Sequence, residues 1–396
     1  MLLTTGFLYF ATRNMKLVLS SCLALMVFAG HAQSIASSNF RYWYDPDNAD
    51  HFSLKVTRSP DSVFAYYKID TTIFNATWEK RDSYGQKTGT PVDAVVTGTP
   101  EQGRLSFPVP EKPWLLVAVL KDTRTGETRI DFKLIESNYP PDGILTQDDE
   151  PVFTPYVRLN SQATITNNFG PNLKVYHYKE RFPAGSPPFA EKEKRVDPIM
   201  EVDSIFSIRS GDNFRFSREG LYLVQSDTTA ARGISFRVSP ASYPKMTRIE
   251  DLSSSLVFIT TAEEAEQLKI AGGDKAKFDK VVLDITKDKD RAKTLIRNYF
   301  RRVELANIYF TSYKEGWKTD RGMMYLIFGL PDEVNRNGQY EVWSYKTMNM
   351  KFTFVRTGSV YDPDYYVLER NKRFSEAWYY TIDMWRKSRI SSSVKN

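Results

Sequence analysis

Residues 313–345 read YKEGWKTDRGMMYLIFGLPDEVNRNGQYEVWSY, and how this stretch is read decides the fold of the C-terminal region. Gly316 and Gly322 permit close backbone approaches that a Cβ would obstruct. Between them Trp317 is a large apolar anchor beside the basic Lys318, and Thr319 and Asp320 offer local turn hydrogen bonds ahead of Arg321. Met323 to Phe328 is apolar on both faces, the pattern expected of a central strand buried on both sides. Gly329 and Pro331 stop it, and Asp332 and Glu333 follow the proline as in the first turn of a short helix. Asn337-Gly338 is a hairpin signal leading into YEVWSY, which carries Trp343 and Tyr345, and then into KFTFV (Lys351 to Val355). The expectation is a three-stranded meander packed on the helix before it.

That helix is read from about Asp288 to Phe310. Ala292, Leu295, Ile296, Tyr299, Phe300, Val303, Ala306 and Phe310 form one stripe at 3.6-residue spacing. Arg297, Arg301 and Arg302 lie largely off the stripe and read as a solvated face. Upstream, Thr260-Thr261 caps AEEAEQLKIA, and Gly272-Gly273 ends it. A final helix from about Ser375 to Ser388 places Trp378, Ile382 and Trp385 on one stripe, a face either for its own domain or for docking to a partner or membrane surface.

Residues 40 to about 136 read as short strands between turns. Phe52/Leu54/Val56 and Ile130/Phe132/Leu134 alternate with polar residues, the mark of an antiparallel sheet with one wet face. Tyr139-Pro140-Pro141-Asp142-Gly143 and Asp148-Asp149-Glu150-Pro151 read as a linker. A second β-rich stretch runs from Phe153 to about Val238, and Pro244 marks the next boundary. The fold class is therefore multidomain and mainly β with an α+β C-terminal domain. Two antiparallel β-sandwich-like segments, 33–140 and 141–243, precede a helix-packed antiparallel sheet in 244–396.

The N-terminal residues read as an export signal. Lys16 is followed by Leu17 to Gly30, an unbroken run of apolar and small residues, with Gly30 and Ala32 placed for cleavage before Gln33. Residues 1–32 are the signal peptide, with translation starting at Met15. Cys22 reads as part of the signal rather than as a lipidation site, because eight apolar or small residues follow it. Removing residues 1–32 takes away Arg13, Lys16 and no acids, lowering the formal charge from +6 to +4, and takes the only cysteine. The remaining chain, with His51 and His177 as its only histidines, can build no disulfide, thiolate nucleophile or thiolate metal site. No nucleic-acid motif accompanies this mild basic charge.

The motif residues resemble the GWxTD domain, a family of exported proteins from Gram-negative bacteria. Gly316-Trp317-Lys318-Thr319-Asp320 matches its naming motif. Arg321-Gly322, Gly329-Leu330-Pro331-Asp332-Glu333, Trp343-Ser344-Tyr345 and the tail from Arg370 to Arg386 continue the likeness over roughly 245–390. The resemblance implies an envelope protein, periplasmic or outer-membrane associated, and carries no reaction. A strand ending Gly-x-Pro-Asp before Trp-x-Tyr also resembles the small lipoprotein subunit of the outer-membrane β-barrel assembly machinery, which points to assembly or scaffolding.

For catalysis, Glu315, Asp320, Asp332 and Glu333 supply carboxylates that Lys318 and Arg321 accompany. The competing reading is turn and cap chemistry, and no nucleophile elbow, Walker loop, HExxH or dinucleotide fingerprint stands beside them. The expectation is a non-enzyme with no cofactor and no metal: an interaction or scaffolding component with an envelope protein partner. The alternative is glycan binding through exposed aromatics of the sandwiches.

Overall fold

The computed structural model describes residues 33–48, 51–179, 182–191 and 200–391. The export segment, with Met15, Leu17–Gly30 and Cys22, lies outside the described residues.

The first sandwich is built from β1 (Phe52–Arg58), β2 (Ser62–Ile69), β3 (Phe74–Arg81), β4 (Thr90–Pro91), β5 (Val95–Gly98), β6 (Gln102–Pro108), β7 (Trp114–Asp122) and β8 (Thr128–Ile135). One sheet has the order β1-β2-β6-β5 and the other β4-β3-β7-β8. The apolar run of β7 has a geometric cause. Trp114, Leu116, Ala118 and Leu120 point between the two sheets, whereas Leu115 and Val117 point outward into a second core. A strand buried on both faces cannot alternate with polar residues.

The second sandwich contains β9 (Gly143–Gln147), β10 (Glu150–Pro151), β11 (Tyr156–Arg158), β12 (Gln162–Asn167), β13 (Asn172–Tyr178), β14 (Ser204–Arg209), β15 (Asn213–Arg215), β16 (Gly220–Gln225) and β17 (Ile234–Ser239). Its sheets run β10-β9-β12-β15 and β11-β17-β16-β13-β14, with β11 parallel to β17. The stretch read as a linker is in fact structured. Asp148 and Asp149 adopt positive φ and form the tight turn of the β9/β10 hairpin, with Glu150 opposite Gln147. Asp tolerates that conformation better than most residues.

The C-terminal region contains α1 (Ile249–Ser255), α2 (Ala262–Ala271), α3 (Lys275–Thr286), α4 (Lys289–Phe310), α5 (Asp320–Phe328) and α6 (Ser375–Arg386). Its antiparallel sheet is β18 (Glu333–Asn337), β19 (Tyr340–Tyr345), β20 (Met350–Arg356) and β21 (Tyr366–Leu368), in that order. Thr261 and Glu264 form the capping box of α2. The Asp288 carboxylate accepts from the amides of Asp290 and Arg291 to start α4. Asn337-Gly338 turns β18 into β19, with Gly338 at φ +60°.

Three local expectations are corrected here. Met323–Phe328 is helix, not strand: Thr319 caps it by accepting the Gly322 amide, and Gly329 at φ +84° ends it. Met323 to Ile327 are all buried because this helix sits in the middle of the domain, and a helix enclosed on all sides is apolar all round. Asp332 and Glu333 begin no helix. The Asp332 amide donates to the Ser344 carbonyl, and Glu333 pairs with Ser344 in the sheet. The meander is thus four strands, and its first strand follows α5.

Arg302 is buried, not part of a solvated face. Its guanidinium donates to the carbonyls of Leu326 and Ile327, at the carbonyl-rich end of α5, and to that of Ser391 beyond α6, and stacks over Trp385. Trp378, Ile382 and Trp385 pack largely on their own domain. Trp385 donates to the Ile327 carbonyl, Trp378 packs against Phe258 and Phe328, and Ile382 packs on the same core.

Residues 33–48 form a strap that nothing in the local sequence announces. The Phe40 amide donates to the Val334 carbonyl, and Asn39 Oδ1 accepts the Val334 amide, so the strap covers the open edge of β18. Ile35, Phe40 and Tyr44 then share one core with Leu115, Val117, Ile130 and Phe132 of the first sandwich and with the C-terminal helices.

Candidate functional site

The motif occupies the junction of α4, α5 and the loops of the second sandwich. Gly316 lies so close to α4 that a Cβ would sit 2.1 Å from the Ala306 carbonyl oxygen. A Cβ on Gly322 would be 1.8 Å from the Gly316 carbonyl oxygen. These two glycines let the Gly316–Lys318 turn be sandwiched between two helices. Asn307, fully buried on α4, accepts the Trp317 amide through Oδ1. The Thr319 hydroxyl donates to the Gly316 carbonyl while accepting from Gly322.

Asp320, 1 % exposed, is clasped by Arg370: Oδ1 lies 2.6 Å from Nη2 and Oδ2 3.1 Å from Nη1. Oδ2 also accepts the Leu368 amide at 2.8 Å. Both oxygens are therefore committed, and the group lines no open cleft. A loop of the second sandwich closes over it. The Gly185 amide donates to the Lys318 carbonyl, the Ser186 carbonyl accepts from Arg370, and a Cβ on Gly185 would stand 2.7 Å from Asp320 Oδ1.

Arg321 points the other way, into a second buried ionic cluster. Glu341, fully buried, lies 3.4 Å from Arg321 and 2.5 Å from Arg336, and accepts from the Tyr44 hydroxyl and Trp343 Nε1, each at 2.8 Å. Burial pushes its carboxyl up, but Arg336 and Arg321 outweigh that and hold it below its ordinary value. Burial and the Glu341 charge push the Tyr44 phenol well up, keeping it a donor. Tyr345 donates to the Gly329 carbonyl, Pro331 accepts from Arg41 of the strap, and Asp332 accepts the Lys346 amide.

One face of the motif does open to solvent. A cleft of about 830 Å³ lies between the second sandwich and the motif turn, lined by Glu315, Trp317 and Lys318 on one side and by His177, Glu219 and Arg237 on the other. Glu315 bridges the two: Arg237 Nη2 is 3.3 Å from Oε1 and Lys318 Nζ 2.9 Å from Oε2. Burial raises the Glu315 carboxyl, yet the two cations prevail and hold it at about 2. His177 sits between the Asp203 carboxylate and the Glu219 carbonyl, 3.1 and 3.0 Å away. Trp317 Nε1 and Arg237 Nε are buried and have no hydrogen-bond partner among the described residues.

The sequence therefore identified the motif but not its partners. Arg370 stood within the motif's tail without any sign of its pairing. Glu341 lies in the interior strand β19, and nothing in its local sequence marks it for burial. Tyr44, Arg237 and Gly185 come from other units and leave no local signal. Among the described residues, no group of three or more His, Cys, Asp or Glu is placed to hold a metal ion, and no helix is long and apolar enough to cross a membrane.

Comparison with family models matches residues 220–387 to the GWxTD domain. The matched span begins at the first residue of β16, so it includes the hairpin that supplies Arg237 to the cleft. No curated protein matches the sequence. Among solved structures, native α2-macroglobulin from Escherichia coli, spanning domains MG0-NIE-MG1, is 11% identical; the match covers 48% of this chain and 72% of that one, with a TM-score of 0.15. The titin immunoglobulin tandem A164-A165 is 9% identical over 48% of this chain and 96% of its own, with a TM-score of 0.16. At these scores neither likeness bears on the fold or the function.

Proposed function

The chain belongs to the GWxTD domain family through residues 220–387, and on that premise we propose that it is a non-catalytic interaction scaffold of the bacterial cell envelope. The observation that carries this reading is the commitment of Asp320. The one acid of the naming motif is spent on Arg370 and a backbone amide, beneath a loop from the neighbouring sandwich. A carboxylate so held joins units together, and burial keeps it from meeting a substrate in solution. Export through residues 15–32 is part of the same proposal, as is release without a lipid on Cys22.

A scaffold needs a surface for its partner. Among the described residues, two edge strands have one side unpaired and apolar side chains facing solvent: β5, where Val95 and Val96 are 70 % and 61 % exposed, and β14, where Ile205 is 57 % exposed. Strand addition at such an edge supplies main-chain hydrogen bonds and side-chain pockets together. A photo-crosslinking amino acid placed at Val96 or Ile205 in intact cells should give a discrete adduct with one envelope protein, absent when the probe is moved to Gly85. The absence of adducts at both edges would sink the scaffold reading. Fractionation tests export separately, since a cytoplasmic protein would refute it.

A further inference from the structure

Among the described residues, the cleft between the second sandwich and the motif turn has more cationic than anionic groups, and two buried N–H donors of its lining lack acceptors. Five basic side chains face four carboxylates along its walls. Most of these charges are paired across the cleft or along its rim. Arg248 holds Glu219 and Asp251, Arg218 stands 3.7 Å from Asp203, and Glu315 takes both Arg237 and Lys318. Among the described residues, Lys179 is the cation that these pairs leave over.

The orphan donors lie among these pairs. Trp317 is 2 % exposed and its indole Nε1–H donates to nothing among the described residues. Arg237 spends Nη1 on the Tyr313 carbonyl and Nη2 on Glu315, leaving Nε–H unmatched. A buried donor without an acceptor is costly, and two lining one cleft call for oxygen atoms from outside the chain. We infer that this cleft binds a small ligand through a single carboxylate group, received by Trp317 Nε1–H, Arg237 Nε–H and the Lys179 ammonium. A monoanion balances the one excess positive charge, whereas a dianion such as phosphate would meet the four carboxylates. Phe182, Ala184 and Val257 form an apolar wall for the rest of the ligand, and the volume suits a ligand of disaccharide or short-peptide size. The carboxylate can belong to an acidic sugar or to a free peptide C-terminus. This inference stands apart from the docking edges of β5 and β14, so the failure of one leaves the other intact.

The test is the indole N–H spectrum of the ¹⁵N-tryptophan-labelled protein, with Trp317→Phe used to assign the Trp317 peak. The probes are D-glucuronate against D-glucose, and alanyl-alanine against its C-terminal amide. The Trp317 peak should move with a carboxylate probe and stay put with its neutral counterpart. Movement with glucuronate alone assigns an acidic sugar, movement with the dipeptide alone assigns a peptide terminus, and movement with both assigns a general carboxylate site. No movement with either acid, or equal movement with the neutral compounds, overturns the inference. Lys179→Ala at the exposed rim and Arg237→Lys, which keeps a cation near Glu315 but removes Nε–H, should each weaken binding by about tenfold. The six other indole peaks report whether these variants remain folded. Unchanged affinity in both variants also overturns it.

Discussion

The Asp320 carboxylate meets the Arg370 guanidinium edge to edge, 2.6 Å from Oδ1 to Nη2 and 3.1 Å from Oδ2 to Nη1, across fifty residues of chain. This clasp ties the start of α5 to the segment just before α6, and the loop carrying Gly185 and Ser186 lies directly over it. The motif's aspartate thus joins three separate segments.

Breaking that clasp from one side should be expensive. Asp320→Asn removes the carboxylate charge that clasps a buried guanidinium, a change that costs about 3–5 kcal/mol. Urea unfolding of the variant should show a loss of that order, and Asp320→Asn combined with Arg370→Leu should lose less than the two single changes added together. Additive losses would mean the two residues act independently.

The motif glycines differ from glycines elsewhere in the chain. Gly322→Ala forces a methyl group into the Gly316 carbonyl and should cost about 1–3 kcal/mol or more, despite alanine's better helix propensity. Gly85→Ala places its Cβ in open space, with nothing within 4 Å, and should be neutral or stabilising by about 0.4–1 kcal/mol. Thermal or urea unfolding of the two variants side by side checks the contrast.

Glu315 makes stability pH-dependent in a defined window. Its folded carboxyl is held at about 2, against an ordinary 4.5, because Arg237 and Lys318 outweigh burial. The unfolded chain therefore binds this proton first as pH falls, so the stabilisation is complete above about 4.5 and is lost progressively on the way down to about 2. Glu315→Gln should be less stable than the parent by about 3 kcal/mol at pH 7, with the gap closing between pH 5 and pH 2. A gap that stays constant across that range would show that the ion pairs contribute nothing.

The strap should control exchange at the β18 edge. Asn39→Ala removes the acceptor of the Val334 amide, and Phe40→Ala empties a fully buried site at a cost of about 3–5 kcal/mol. Hydrogen exchange should accelerate at Val334 in both variants, while amides in the β1/β2 pair keep their parent rates in Asn39→Ala. Unaltered protection of Val334 in both would mean that the strap does not guard this edge.

Much of the fold was legible locally. Period-two alternation located β1 and β8, the Thr260-Thr261 pair marked the start of α2, the apolar stripe from about Asp288 marked α4, and Asn337-Gly338 marked the hairpin. Each of these signals depends on neighbours within a few residues. Residues 323–328 were misread because an apolar segment enclosed on every side loses the periodicity that separates strand from helix. The GWKTD residues stand out as a unit, but Arg302 reads as a surface charge and Glu341 carries no sign of burial, since nothing near them in sequence shows what will cover them.

The amino-acid sequence by itself determined the alternating strands, the helix ends set by caps and glycines, and the GWKTD motif, because these follow from backbone preference and local hydrogen bonding. Tertiary structure alone decided where the charges go. Asp320 finds Arg370, Tyr44 reaches Glu341 across 297 positions, and Arg237 crosses from the second sandwich to Glu315. Such pairs form only when packing has excluded water from both partners, and burial is a property of the assembled units rather than of any one segment.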